Sequence, residues 1–323
     1  MIDIAEKKLT GIKFIDLFAG IGGFRLALES FGAECVYSSE WDRCAQETYY
    51  ENYGEMPAGD ITQTDETQIP DHDILCAGFP CQAFSISGNQ RGFEDSRGTL
   101  FFDVARIVRT KHPKVVFMEN VKNFARHDNG NTLRIVKKTM EELGYDFHYK
   151  VLKAASFNIP QNRERIYMVC FRKDLHIQAF SFPKPVGLTR HLEDLLLPGR
   201  LTRDCIIKRP DLHMSATDCS CSDKPVRIGY VGKGGQGERI YSPKGIAITL
   251  SAHGGGVFSK TGGYYIEGQT RKLALRECAR IMGFPDSFII NRNINQAYTQ
   301  FGNSVVVDVL QYIIFEIIKS LNY

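Results

Sequence analysis

The chain has 323 residues, of which 43% are hydrophobic and 24% are charged, and 40 basic against 37 acidic side chains give a formal net charge of +3. This composition is typical of a soluble globular protein and excludes a disordered chain or an integral membrane protein. The length predicts one large domain with a smaller one, or two domains. The sequence does not open on an apolar signal core and contains no run of about 18 apolar residues, so we expect a cytoplasmic protein.

Nine cysteines are scattered along the chain, an odd number without the spacing of a disulfide framework. This usage favours a reducing compartment. Cys219 and Cys221 could form half of a zinc site, but a second Cys/His pair at useful spacing is missing from the sequence. We therefore expect no metal. Most of the thiols are expected to be small core residues, and only Cys81 lies in a context that indicates chemistry.

The first half of the chain alternates short apolar runs with amphipathic stretches, which is typical of a parallel sheet covered by helices. Strands are predicted over 13–18, 34–39, 73–78, 114–118 and 165–171. Helices are predicted from a glycine turn at 20–23 to 31, and over 42–53, 100–109 and 131–143. The pattern predicts an α/β fold with a doubly wound, mostly parallel sheet of the Rossmann-like type, whose ligands bind beyond the carboxyl ends of the strands.

The composition changes in the second half. Twelve of the 29 glycines lie between residues 226 and 270, which excludes long helices and predicts irregular strands and loops whose backbone approaches a partner closely. Residues 200–260 hold ten basic and five acidic side chains, a local charge of +5 against about −2 elsewhere. Helical periodicity returns over 273–282 and 305–321. We expect a catalytic and cofactor-binding domain of residues 1–190 plus 276–323, and a smaller, mainly-β target-recognition domain of residues 191–275.

A glycine turn follows the first predicted strand and opens a helix; it contains Phe18, Gly20, Gly22 and Gly23. Such a turn leaves room for a nucleotide-like cofactor, although glycines there also serve packing. The third glycine of the dinucleotide fingerprint is missing, which argues against NAD. Glu40 ends the second strand, where a carboxylate can accept hydrogen bonds from ribose hydroxyls. With Trp41, Asp60 and Ile61, it fits an adenosine cofactor without pyrophosphate, although Trp41 is equally compatible with a core position.

Three short motifs place polar groups at the ends of predicted strands. Pro80 and Cys81 end one strand, Glu119 ends the next, and Arg163 and Arg165 lead into another. A cysteine thiolate near cations can act as a nucleophile, and an acid within reach can donate a proton to a ring nitrogen. Paired arginines can orient that acid and bind phosphate. An isolated Pro-Cys is more often structural, but the three motifs in this order favour chemistry.

Together with the stretches 271–286 and 302–305, these motifs resemble the ordered motif set of the DNA cytosine-C5 methyltransferases, from about residue 10 to the C-terminus. The resemblance implies S-adenosylmethionine as cofactor, S-adenosylhomocysteine as product and no metal. It is strongest to the GCGC-specific members, including the stretch 231–242, and so implies methylation of the first cytosine of GCGC in duplex DNA. Residues 187–225 resemble those members poorly, and His253 stands where they have an aromatic hydroxyl.

The resemblance also implies a role for each catalytic side chain. Cys81 attacks carbon 6 of cytosine, while Glu119 interacts with ring N3 and the exocyclic amine. Arg165 contacts the ring oxygen and holds Glu119, Arg163 binds backbone phosphate, and Asn120 assists in positioning. Cofactor contacts are implied for the residues of the glycine turn, for Glu40, Trp41, Asp60 and Ile61, and for Gly78, Pro80, Leu100, Asn303, Ser304 and Val305.

A cytosine stacked in a duplex cannot reach such a site, so we expect the enzyme to flip it out of the helix. The glycine-containing segment 82–99 is expected to move and to contact DNA. Gln236 and Ser87 are expected to fill the vacated space, and Arg239 is expected to read guanine in the major groove. The full set of expected DNA contacts is Ser85, Ser87, Arg97, Gln236, Arg239, Thr249 and His253.

The resemblance further implies a bacterial cytoplasmic enzyme that is functionally paired with a restriction endonuclease. We expect a monomer that acts on a short palindromic site, without a membrane and without a stable protein partner. The tRNA-methylating branch of the family is one alternative, although its Cys-Phe-Thr signature is absent after Pro-Cys. A catalytically silent DNA-binding module is another, which the intact Cys81, Glu119 and Arg165 disfavour. Amino-group methyltransferases are disfavoured because no Asp/Asn-Pro-Pro-aromatic motif occurs.

Overall fold

The computed structural model describes residues 8–80, 100–215 and 219–322. The chain forms two compact units. The first comprises Met1–Leu152, Glu164–Pro183 and Leu310–Tyr323, and the second comprises Lys153–Arg163 and Lys184–Val309. These bounds differ from the predicted domain bounds, since 153–163, 184–190 and 276–309 belong to the second unit. The predicted division into catalytic and recognition functions stays a prediction.

The first unit is built on a six-stranded sheet in the order β2-β1-β3-β4-β6-β5. Its strands are β1 (Lys13–Leu17), β2 (Glu34–Ser39), β3 (Ile74–Ala77), β4 (Val115–Val121), β5 (Tyr145–Lys153) and β6 (Glu164–Arg172). Neighbouring strands from β2 to β4 pair in parallel, and β6 is antiparallel to β4. The predicted fold class, a mostly parallel α/β sheet, is confirmed.

Helices connect and cover these strands: α1 (Gly23–Glu29), α2 (Arg43–Tyr53), α3 (Leu100–Lys111) and α4 (Asn131–Glu142). The central strands β1, β3 and β4 are buried along almost their whole length, which is why they form continuous apolar runs in the sequence. The Asp42 carboxylate caps α2 by accepting the Ala45 amide at 2.8 Å, and Gly54 ends the helix with φ +70°. Strand β5 was not predicted, because it lies at the sheet edge and is only partly buried.

The second unit holds a five-stranded sheet in the order β11-β10-β9-β8-β7. Its strands are short: β7 (His213–Met214), β8 (Arg227–Tyr230), β9 (Arg239–Tyr241), β10 (Gly263–Ile266) and β11 (Gln269–Arg271). Helices α5 (Leu275–Ile281), α6 (Ile294–Asn303) and α7 (Val307–Ser320) follow. Helix α6 was not predicted. From Leu310 onward, α7 belongs to the first unit, and the Gln311 amide nitrogen donates to the Ser30 hydroxyl at 3.0 Å.

The stretch Ile294–Ser320 is apolar and long enough to cross a membrane by length and composition alone. It contains α6 and α7, and 61% of its most apolar window is buried in the protein. Buried helices of a protein core have the same composition, so the stretch is weak evidence for a membrane segment.

Candidate active site and recognition loops

The register of the parallel strands brings the predicted motifs of the first unit to one edge of the sheet. Leu17 pairs with both Ser39 and Ala77, and Ala77 pairs in turn with Met118. The segments 18–20, 40–41 and 78–80 follow these positions, and residues 119–120 lie near the end of β4. All four therefore lie side by side at this edge, where α/β proteins bind ligands. Because β6 is antiparallel to β4, its start lies at the same edge, with Arg165 opposite Val121.

Glu119 and Arg165 meet at this edge. The Arg165 Nε lies 3.1 Å from the Glu119 Oε1, and both side chains are largely buried. A buried carboxylate next to a guanidinium has a fixed orientation, which a proton donor needs. The neighbouring Asn120 donates its amide to the carbonyl of Phe79 at 2.8 Å. This hydrogen bond fixes the chain two residues before Cys81.

Several expected site residues lie outside the described residues: Cys81, Ser85, Ser87 and Arg97. Pro80 is the last residue described before Cys81, and its side chain is exposed at the sheet edge.

The glycine turn has the backbone conformation that its glycines allow. Gly20 has φ +56° and Gly22 has φ +84°, and Phe18 also adopts a positive φ of +57°. A Cβ at Gly22 would lie 2.6 Å from the hydroxyl oxygen of Tyr53, which donates to the Gly22 carbonyl at 2.9 Å. The Arg25 guanidinium lies 4.7 Å above the centre of the Tyr53 ring. Tyr53 supports the turn from 31 residues away, so local sequence patterns carried no signal for it.

The residues after β2 fit a nucleoside-containing cofactor. The Glu40 carboxylate accepts the amides of Gly20 and Asp42, each at 2.8 Å, so it joins the end of β2 to the glycine turn. A carboxylate has about four acceptor sites, so capacity is left for ribose hydroxyls. Trp41 is 81% exposed, which contradicts a core position. A Cβ at Gly20 would meet no atom of the described residues within 4 Å, so the turn has open space beside it.

The other expected cofactor contacts occupy varied positions. Asp60 is exposed and accepts the Thr62 amide at 3.0 Å, while Ile61 is buried. Gly78 and Leu100 are half-buried at the end of β3 and the start of α3. In the second unit, the side chains differ in exposure: that of Asn303 is exposed, that of Ser304 half-buried and that of Val305 buried.

Asp16 is a buried carboxyl group beneath the glycine turn. It lies in β1 and is only 1% exposed, and neither carboxyl oxygen has a hydrogen-bond partner among the described residues. Burial raises the pKa of Asp16 to about 8, and the nearby Arg25 amide and guanidinium oppose this rise only in part. Asp16 is therefore protonated at neutral pH.

Arg163 is bonded to the backbone of the second unit. Its side chain is buried, and its guanidinium donates to the carbonyls of Leu250 at 3.0 Å, Gly302 at 3.0 Å and Ser304 at 2.5 Å. The side chain is only 2% exposed, so these carbonyls are the partners that the structure gives its guanidinium. The guanidinium therefore holds backbone segments of the second unit together, and the expected phosphate contact stays a prediction.

Two loops of the second unit carry the other expected DNA contacts; we call residues 231–238 loop A and residues 249–258 loop B. Gln236 is exposed in loop A, and Arg239 follows at the start of β9 with Nε 3.5 Å from the Gly234 carbonyl. His253 is exposed in loop B. The Thr249 hydroxyl donates to the Asn162 carbonyl.

Seven of the eight thiols of the described residues are buried or half-buried. All eight described cysteines are free, and burial raises the pKa of Cys76, Cys170 and Cys278 well above the usual range. Cys219 donates to the Ser242 hydroxyl at 2.9 Å. Across residues 8–80, 100–215 and 219–322, no cluster of three or more His, Cys, Asp or Glu side chains could hold a metal.

The fold and the order of these motifs define a family. The sequence profile of the C-5 cytosine-specific DNA methylases matches residues 12–319. The chain belongs to this family and is an enzyme that methylates carbon 5 of cytosine.

Similar proteins include the type II methyltransferase M.HhaI of Haemophilus parahaemolyticus, 67% identical over 324 residues that cover 100% of this chain and 99% of the relative. The type II methyltransferase M.SsoII of Shigella sonnei is 42% identical over 320 residues, 96% of this chain and 81% of the relative. Among solved structures, the S. pombe Dnmt2 methyltransferase superposes with a TM-score of 0.74 over 97% of this chain and 100% of its own, at 21% identity. This last similarity is one of fold.

Replacement of the buried carboxyl of Asp16 should remove a pH dependence of stability. The native state holds a proton on Asp16 that the unfolded chain, with a pKa near 3.8, releases, so stability is lost as pH rises from about 4 to about 8. Relative to Asp16→Asn, the free energy of unfolding of the unsubstituted protein should fall by up to about 1.4 kcal/mol per pH unit in this window. Denaturant unfolding at several pH values measures it. Asp146→Asn, at an exposed position, is the control, and a constant difference between Asp16→Asn and the unsubstituted protein would contradict the assignment.

Substitution of Arg163 should lower stability even in the absence of DNA. In Arg163→Lys, one ammonium group replaces a planar guanidinium that donates to three carbonyls. Each buried carbonyl left without a donor lowers the free energy of unfolding by about 1–3 kcal/mol. Denaturant unfolding without DNA measures the loss. Arg43→Lys is the matched control, because its side chain is 84% exposed. A loss for Arg163→Lys as small as that of the control would show that these hydrogen bonds contribute little.

Proposed function

We propose that the protein methylates the first cytosine of GCGC in duplex DNA and is the modification enzyme of a type II restriction-modification system. The observation that carries this proposal is the meeting of Glu119 and Arg165 at the sheet edge, beside the segment that leads into Cys81. The 67% identity to a type II methyltransferase supports the biological setting. The resemblance of loop A and its flanks to GCGC-specific enzymes supports the target.

S-adenosylmethionine is the proposed cofactor, and it supplies an electrophilic methyl group when bound. Glu40 would accept hydrogen bonds from the ribose hydroxyls, and the exposed Trp41 ring would pack against the adenine. The glycine turn and Pro80 would provide backbone contacts close to the methionine part. The remaining proposed contacts are Phe18, Gly78, Asp60, Ile61, Leu100, Asn303, Ser304 and Val305.

Carbon 5 of cytosine is a weak nucleophile, so the enzyme has to add electron density to the ring. We assign this task to Cys81, whose thiolate would form a bond to carbon 6. Glu119 would stabilise the charge that develops at N3 and the exocyclic amine, and Arg165 would hold Glu119 and contact the ring oxygen. After carbon 5 gains its methyl group, it loses its proton, and the bond between Cys81 and carbon 6 breaks to restore the ring.

DNA binding is assigned to the basic second half of the chain and to the segment after Cys81. Flipping a cytosine costs a few kcal/mol, which contacts in the vacated space would offset. Gln236 and Ser87 are proposed to occupy that space, and Arg239 to bind guanine O6 and N7. Ser85, Arg97, Thr249 and His253 are the other proposed DNA contacts. A monomer in the bacterial cytoplasm, without a stable protein partner, would suffice for a short palindrome.

The tRNA-methylating branch is the second candidate, since its members share the catalytic motifs. Incubation of the protein with labelled S-adenosylmethionine and either duplex DNA or tRNA decides between the two. We expect label in DNA only.

Replacement of the proposed nucleophile should abolish methylation but spare DNA binding. Cys81→Ser keeps the size of the side chain and loses the thiolate, so methyl transfer should fall to background while affinity for a GCGC duplex stays within about threefold. Bisulfite sequencing of plasmid DNA from cells that express either form measures methylation and identifies the target sequence. Cys76→Ser is the control for a cysteine without catalytic function. Full methylation by Cys81→Ser would refute the mechanism, and methylation at another sequence would refute the target.

Loss of the Arg239 guanidinium should weaken sequence discrimination. A bidentate contact to guanine contributes about 1–3 kcal/mol of discrimination, so Arg239→Ala should lower the ratio of cognate to non-cognate affinity by about 5–150-fold. Lys233→Ala, at an exposed position of loop A, should weaken binding to both duplexes about equally. Fluorescence anisotropy with a GCGC duplex and a scrambled duplex measures both. An unchanged ratio in Arg239→Ala would show that this side chain does not read the target.

A further inference from the structure

Loops A and B touch through their glycines. A Cβ at Gly237 would lie 2.9 Å from the Gly255 carbonyl carbon and 3.3 Å from the Gly256 Cα. Conversely, a Cβ at Gly256 would lie 2.7 Å from the Gly237 carbonyl oxygen. Separations below 3.0 Å do not occur for real Cβ atoms, and the obstructing atoms are backbone, which a rotamer change cannot move. The two loops can therefore be this close only without side chains at these positions.

Backbone conformation does not explain the glycine at position 237. Gly237 is absent from the residues with positive φ, so an alanine could adopt its backbone angles. Gly256, by contrast, has φ +93° and would be strained by any side chain. The identity of residue 237 is thus set by the approach of loop B.

The same contact is anchored in the core of the second unit. The Phe258 amide donates to the Gly237 carbonyl at 2.9 Å, and the Phe258 side chain is buried in a cluster with Val231 and Ile240. Val231 begins loop A, and Ile240 follows Arg239 in β9. Both loops therefore start or end in one small hydrophobic core.

The other end of loop B is equally constrained. The Leu250 carbonyl accepts the Arg163 guanidinium, and a Cβ at Gly302 would lie 2.6 Å from the Ser251 carbonyl oxygen. The Lys260 ammonium donates to the Asn295 carbonyl at 2.9 Å and the Thr299 hydroxyl at 2.8 Å, both on α6. Loop B is thus held at both ends by contacts within the second unit.

We infer that Gly237 is a positioning residue for target discrimination, because its contact with Gly255 and Gly256 fixes the spacing between the side chains of loop A and those of loop B. Gln236 and Arg239 lie on one side of this contact, and His253 lies on the other. Hydrogen bonds to base edges tolerate errors of a few tenths of an ångström, whereas a Cβ at position 237 would separate the loops by more. The inference rests on the proposed reading of DNA by these loops.

The test compares Gly237→Ala with Gly255→Ala. A Cβ at Gly255 would meet no atom of the described residues within 4 Å, and its φ is not positive, so this control adds a methyl group to the same contact region without a clash. Amide hydrogen exchange without DNA is measured over 231–240 and 251–260. We expect Gly237→Ala to speed exchange in both segments by at least about tenfold, and Gly255→Ala to leave both unchanged. Faster exchange in loop A alone would overturn the inference.

The functional readout is the ratio of affinities for a GCGC duplex and a scrambled duplex, with S-adenosylhomocysteine present. Gly237→Ala should lower this ratio by at least about tenfold. A purely structural loss would weaken binding to both duplexes equally and leave the ratio unchanged, which would overturn the inference. Phe258→Leu is a milder second variant. It should lower the ratio of affinities about threefold, and an unchanged ratio would overturn the inference. If the unsubstituted protein does not discriminate between the duplexes, the proposed target fails instead.

Discussion

The second unit depends on the hydrogen bonds of one buried side chain, Arg163. Its guanidinium donates to three carbonyls that lie 87 to 141 residues further along the chain, those of Leu250, Gly302 and Ser304. Carbonyls in a protein interior need donors, and a planar group with five N–H bonds can serve several at once. This cation joins the start of loop B to the end of α6, so the loop that we assign to DNA and the segment 303–305 that we assign to cofactor share one support.

In the first unit, the corresponding constraint is the register of the parallel strands. Parallel pairing places the carboxyl ends of β2, β1, β3 and β4 at one edge, and the antiparallel β6 contributes its start there. Side chains from five distant segments are thus gathered by backbone hydrogen bonds alone. Local contacts then refine the arrangement: Glu40 joins β2 to the glycine turn, and Asn120 joins β4 to the end of β3. The geometry of this edge follows from the sheet, which explains why the order of the motifs along the chain is so informative.

Much of this could be predicted from sequence, because the informative signals were local. Apolar runs predicted the five strands whose ends form this edge, and the glycines after the first strand predicted the turn that opens α1. Other features could not be predicted from local patterns. Residue type alone left a core position equally open for Trp41, and the structure shows that the ring is exposed. The phosphate contact expected of Arg163 rests on the family resemblance, and local sequence carries no signal for its burial, because its partners lie far along the chain. The edge strand β5 lacked a continuous apolar run, so its pattern carried little signal.

The many glycines of residues 226–270 have a second explanation besides the close approach of a partner. The density of glycines predicted a backbone that approaches a partner closely. At several of these glycines the close neighbour is the protein's own backbone: a Cβ at Gly245 would lie 2.6 Å from the Lys224 carbonyl oxygen, and one at Gly256 would lie 2.7 Å from that of Gly237. A loop that reads bases has to hold its side chains in place without a large core, and close backbone packing supplies the rigidity that a short, polar loop otherwise lacks. Glycine in such a loop therefore restricts motion through packing, although the residue itself is the most flexible one.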